Sequence, residues 1–145
     1  MKIALGTVQW GLFYGISNSH GIPTDKELVS ILALANKNDI NLLDTAAIYG
    51  DSEKRIGKFA TSGNKIITKI GYFTKTNSLE NQIEKSFKNL RRERIYGCLF
   101  HNGDDLIKNE FLWGKILQIQ KSGRIKKIGY SIYEPSKLLS LLKAG

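Results

Sequence analysis

An alternation constrains this chain more than any other feature. Short apolar, β-branched runs at residues 3–5, 41–43, 65–69, 95–100 and 125–130 are separated by longer stretches of helical period. Leu28, Ile31, Leu32 and Ala35 recur at that period, as do Ile83, Phe87 and Leu90, and then Leu112, Ile116 and Ile119. The pattern predicts five strands with one helix in each gap. Thr24 followed by Glu27 forms a candidate capping box just after Pro23, Asn77 with Glu80 is a second candidate cap, and Gly123 supplies a helix stop. Repeated βα units pair their strands in parallel through right-handed crossovers, which leaves an open doubly wound sheet or a closed eight-stranded barrel. Two features favour the barrel. No GxGxxG follows the first strand, and polar residues recur at the carboxyl ends of the others: Asp44, Lys69, His101 and Ser131. The expected fold class is α/β, the N-terminal five βα units of a TIM (β/α)8 barrel.

The 145 residues are enough for one core, so a single domain spanning 1–145 is expected. The formal charge of +9, from 22 Lys and Arg against 13 Asp and Glu, favours anionic partners, and the basic excess begins after residue 50. Lys85, Lys88, Arg91, Arg92 and Arg94 lie along and just after one predicted helix and read as a solvated face. Without a recognisable reading motif or aromatic platform, no nucleic-acid partner is expected. No apolar run approaches the roughly 18 residues of a membrane span, and MKIALGTVQWG lacks a signal peptide's apolar region. The expectation is therefore a cytoplasmic protein with no membrane partner. Cys98 is the lone cysteine and reads as a small buried residue. His20 reads as a loop residue. The HNGDD stretch lacks a ligand spacing, so no metal is expected, and Asp104 and Asp105 are assigned to the start of the next helix.

In a parallel barrel, inward-facing residues at the carboxyl ends of neighbouring strands converge on one mouth. Leu42 with Asp44, Ile67 with Lys69, and Leu99 with His101 would share the inner face. Tyr49, on the loop after the second strand, would lean over the same mouth. Taken alone, LLDTAAIYGDSEKRIG also fits a strand running into a capped helix, with Asp44 as a turn residue and Tyr49 as packing.

Five segments in sequence resemble the aldo/keto reductases, nicotinamide-dependent (β/α)8 barrels. They are LGTVQWG at the first strand, DTAAIYGDSEKRIG after the second, ITK closing the third, LFH closing the fourth and KKIGYSIYEP around the fifth. The resemblance implies reduction of an aldehyde or ketone with NADP(H), or NAD(H), as cofactor and a small carbonyl compound as substrate. It implies that Tyr49 is the general acid, that Lys69 lowers the phenol's pKa, that Asp44 pairs with Lys69, and that His101 donates a hydrogen bond to the substrate carbonyl. An ammonium beside a phenol has that effect because it favours the phenolate. Gly6 and Thr7 match positions near the nicotinamide, Ser131 a residue that bonds its carboxamide, and Trp10 an aromatic wall of the substrate pocket. Gly6 also fits a plain turn, and Trp10 plain core packing. Where many members carry Asn after the serine, this chain has Ile132. Glu53 is expected to cap its own helix beside Tyr49.

A complete barrel takes about 250 residues, so this chain is expected to be truncated after its fifth unit, with exposed edges through which it self-associates. An inactive partial reductase is the preferred expectation. An active enzyme assembled from two half barrels, and a non-enzymatic binding or regulatory protein on the same scaffold, are the alternatives.

Overall fold

The computed structural model describes residues 3–74, 76–108 and 111–144. Five strands form one sheet in chain order: β1 (Ala4–Gly6), β2 (Leu42–Asp44), β3 (Lys65–Ile70), β4 (Ile95–Phe100) and β5 (Ile125–Tyr130). Every neighbouring pair is parallel. The crossovers are α1 (Asp25–Lys37), α2 (Ser52–Phe59), α3 (Leu79–Leu90) and, in the fourth gap, the two helices α4 (Asp104–Lys108) and α5 (Phe111–Lys121). A last helix, α6 (Leu138–Ala144), follows β5. These are five βα units of a barrel. The fourth gap departs from the expected single helix, and β1 and β2 each lie one residue later than expected, which brings Asp44 into β2.

Local chemistry accounts for the helix starts. Thr24 and Glu27 form the expected reciprocal capping box of α1. The cap of α3 is Ser78 rather than Asn77: the Ser78 hydroxyl accepts from the Asn81 amide at 3.2 Å, whereas the Asn77 side chain turns back to the Tyr72 carbonyl at 3.1 Å. Asp104 and Asp105 occupy the first turn of α4, as expected.

One face of the sheet packs on the helices. Leu43, Ile66, Ile70, Cys98 and Phe100 are buried there against Leu28 and Leu32 of α1, Ile56 of α2, Ile83 and Phe87 of α3, and Ile116 of α5. Burial pushes the Cys98 thiol up to about 12, in keeping with an inert packing residue. Helices α2 and α3 approach closely at Gly57, where a Cβ would collide with the backbone of Asn89 and Leu90. On the opposite face, Leu42, Asp44, Ile67 and Leu99 are only half-buried, and among the described residues β1 and β5 each have a single strand neighbour. Among the described residues no helix is long and apolar enough to cross a membrane.

Candidate active site

The carboxyl ends of β2, β3 and β4 bring the expected polar groups together. The register sets Gly6 beside Asp44, and Lys69 beside Leu99 just short of His101. The Lys69 ammonium, in a residue only 8% exposed, donates to both Asp44 carboxylate oxygens at 2.6 and 2.7 Å and to the Thr45 carbonyl at 3.2 Å. It also stands 5.5 Å from the centroid of the Tyr49 ring. The His101 imidazole meets the same ring edge to face, with centroids 5.9 Å apart. Asp44, Tyr49, Lys69 and His101 thus form one cluster. Asp44 is therefore more than a turn residue, and Tyr49 is half-buried within reach of its neighbours' charge.

The electrostatics differ from the expectation in one respect. The Tyr49 phenol is pushed up from its ordinary value, first by burial and then by the negative charge of Asp44 and the phenols of Tyr133 and Tyr14. The two shortest bonds of Lys69 go to Asp44, and among the described residues no hydrogen bond joins it to Tyr49. The His101 imidazole is pushed down, by burial and by the Lys69 charge, against a smaller upward pull from Asp44 and Asp105. That direction favours the neutral form, and its Nδ1 is buried without a partner among the described residues.

The remaining expected residues divide. Ser131 lines a cleft of about 340 Å³ with His101, Tyr72 and Tyr133. Gly6 does not serve a left-handed turn, and among the described residues beyond its chain neighbours no atom lies within 4 Å of where its Cβ would stand. That leaves open space beside Asp44. Thr7, by contrast, is fully buried. Its hydroxyl donates to the Asp44 carbonyl at 3.0 Å, and the Ser52 hydroxyl lies 2.9 Å from it and 3.0 Å from that of Thr45. This hydroxyl cluster braces the end of β2 and leaves Thr7 no surface to offer a ligand. Trp10 lies in the core at 4% exposure, on a 3₁₀ turn (Val8–Trp10) whose last carbonyl accepts from Arg55 at 2.8 Å. Glu53 does not cap α2. It is buried, accepting from Thr68 of β3 at 2.7 Å and Asn89 of α3 at 3.1 Å, so it ties three elements together.

Tyr72 was not singled out in the sequence. It follows β3 with a left-handed backbone (φ 57°) and a largely exposed ring in the His101 cleft. Nothing in its neighbours GYF signals that conformation. Among the described residues no group of three or more His, Cys, Asp or Glu side chains is gathered as a metal ion would require.

The fold has relatives among known proteins. An aldo-keto reductase assigned in Pseudomonas aeruginosa superposes with a TM-score of 0.84 at 30% identity, over 99% of this chain and 60% of that one. The pyridoxal reductase of Arabidopsis thaliana chloroplasts is 26% identical over 96% of this chain and 43% of its own length. An aldo-keto reductase from Klebsiella pneumoniae, solved in complex with NADPH, shares the fold with a TM-score of 0.77 at 18% identity, over 99% of this chain and 50% of that one. The chain thus spans about half the length of these relatives. The model of the aldo/keto reductase family matches residues 2–145, and the chain belongs to that family.

Proposed function

We propose that the protein's site reduces an aldehyde or ketone to the alcohol, with Tyr49 giving the proton and NADP(H) as the cofactor. The observation that carries this reading is the bidentate bond of Lys69 to Asp44 beneath the Tyr49 ring, with a neutral imidazole at the ring's edge. A reduced nicotinamide supplies a hydride when bound. The open space at Gly6 and the Ser131 position in the cleft fit such a group, and the Klebsiella pneumoniae relative solved with NADPH favours it.

The chain's own residues have distinct tasks. The Tyr49 phenol, held protonated, delivers its proton to the carbonyl oxygen as the carbon is reduced, and the Lys69 charge stabilises the phenolate that remains. Asp44 pairs with that ammonium and aims it in a poorly hydrated place. A neutral His101 orients the carbonyl by donating one N–H. Thr7, Ser52 and Thr45 hold the Asp44 backbone from behind.

The name of the Arabidopsis thaliana relative makes pyridoxal the first aldehyde to try. With both sheet edges open, the 145-residue chain alone is expected to bind NADPH weakly and to show no measurable turnover. The test adds a polypeptide carrying the remaining barrel units, then follows NADPH oxidation with pyridoxal and other aldehydes. Aldehyde-dependent oxidation that Tyr49→Phe abolishes supports the reading. Oxidation indifferent to Tyr49, or none with any aldehyde or ketone in a folded, NADPH-binding complex, rejects it.

A further inference from the structure

At the end of the sheet opposite the mouth lies a concavity of about 770 Å³ that the catalytic cluster leaves unused. It is walled by the end of α3, the turn that enters β4 and the residues just ahead of β5. Among its lining residues are Lys88, Arg91, Arg92, Arg94 and Arg124, opposed by only two carboxylates. One of these, Glu84, is spent on Arg124, whose guanidinium reaches both of its oxygens (2.5 and 3.1 Å) and lies 4.3 Å over the Phe87 ring. Arg92 is fixed by the Ala60 and Thr61 carbonyls at 3.0 and 2.9 Å, which orient its charge without cancelling it. Lys88, Arg91 and Arg94 are exposed, and among the described residues no carboxylate forms a salt bridge with them. Glu93 is then the single acid left to oppose four cations.

Cations near the end of α3 complement the partial negative charge of a helix C-terminus, and that alone accounts for Lys88. It does not account for Arg94, which lies beyond the cap, nor for the backbone of Arg91. Arg91 caps α3 in the left-handed conformation (φ 51°, ψ 46°), a place where glycine is the ordinary residue and a side chain is disfavoured. An arginine standing there against its backbone preference points to a use for its side chain.

We propose that this concavity binds a small oligophosphate anion. Guanidinium forks match phosphate oxygens two at a time, and three of the four cations that Glu93 opposes are arginines. The volume is that of a small-ligand site. The Phe87 face is already covered by Arg124, which leaves it no stacking surface for a nucleobase and favours a compact anion over single-stranded nucleic acid. The site is independent of the reductase chemistry at the other end of the strands.

Calorimetric titration of the 145-residue chain with inorganic tripolyphosphate tests this, alongside thermal melts. One saturable site is expected, weakening with salt and raising Tm when filled. Arg94→Ala and Arg91→Gly should each weaken binding by about tenfold. Arg91→Gly should also raise the Tm of the unliganded chain, since glycine accepts the left-handed cap without penalty, so its loss of affinity cannot come from misfolding. Lys85→Ala, on α3 outside the concavity, should change neither. Absence of saturation in a chain that melts cooperatively would overturn the proposal. So would equal weakening by Lys85→Ala, which means diffuse charge, or tighter binding of an oligothymidylate at matched phosphate concentration, which means a nucleic-acid surface.

Discussion

Lys69 gives its two shortest hydrogen bonds to a single partner, the Asp44 carboxylate, at 2.6 and 2.7 Å. The lysine charge is thereby shared with an anion, while burial and then the Asp44 charge push the nearby Tyr49 phenol up. Asp44→Asn should release that charge, so the Tyr49 phenol should ionise at lower pH. Ultraviolet difference titration against Asp44→Asn/Tyr49→Phe isolates the one phenol. The same substitution leaves a buried ammonium poorly paired and should cost about 1–3 kcal/mol of stability by denaturant melts. A Tyr49 titration that stays put would mean the carboxylate does not set the lysine's influence.

Tyr49→Phe removes a proton donor and leaves the ring. In an assembled barrel, turnover should fall by about 10² or more, with NADPH affinity nearly unchanged. Lys69→Met should depress turnover as severely and also move the alkaline limb of the pH–rate profile, while Lys85→Met does neither. Equal effects from the two lysines would reduce Lys69 to solvated charge.

His101 carries a pH prediction whose sign follows from its depressed pKa. The unfolded chain takes up the histidine proton near pH 6.5, before the folded one does. Its contribution to stability is complete above that pH and is lost as pH falls toward the lower folded value. Melting temperature should therefore drop between about pH 7 and pH 5, and His101→Gln should make the drop shallower. Parallel profiles for the two proteins would show that the imidazole is not held neutral.

The open edges of the sheet are unequal. β5 carries exposed Lys126 and Lys127, a common guard against edge pairing, whereas the chain just before β1 carries Ile3 at 50% exposure. The 145-residue chain should self-associate in sedimentation velocity, and Ile3→Lys should shift it toward monomer. A monomer before any substitution would mean that the edge is closed in some other way.

Much of this was legible in the sequence because parallel βα units write both periods plainly. The strands at 95–100 and 125–130 matched residue for residue, and the alternation in ITK and LFH put Lys69 and His101 on the Asp44 face. What was not legible depends on competition between partners. Ser78 and Asn77 are both able caps, and only the Tyr72 carbonyl decides which one is diverted. Thr7 sits beside the mouth in sequence, but the distant Ser52 hydroxyl draws it inward. The Tyr49 phenol is pushed up first by burial and then by the Asp44 charge, and how deeply a loop side chain is buried is not encoded in its spacing.

The identity of spatial and sequential strand order has a consequence for synthesis. Each new strand leaving the ribosome finds its neighbour already laid down, so the sheet can grow in one direction without waiting for a distant segment. By the time β3 docks beside β2, the carboxylate, the phenol and the ammonium are all in place. Growth in that order brings these three groups together first, and β4 then adds His101 at the edge of the phenol.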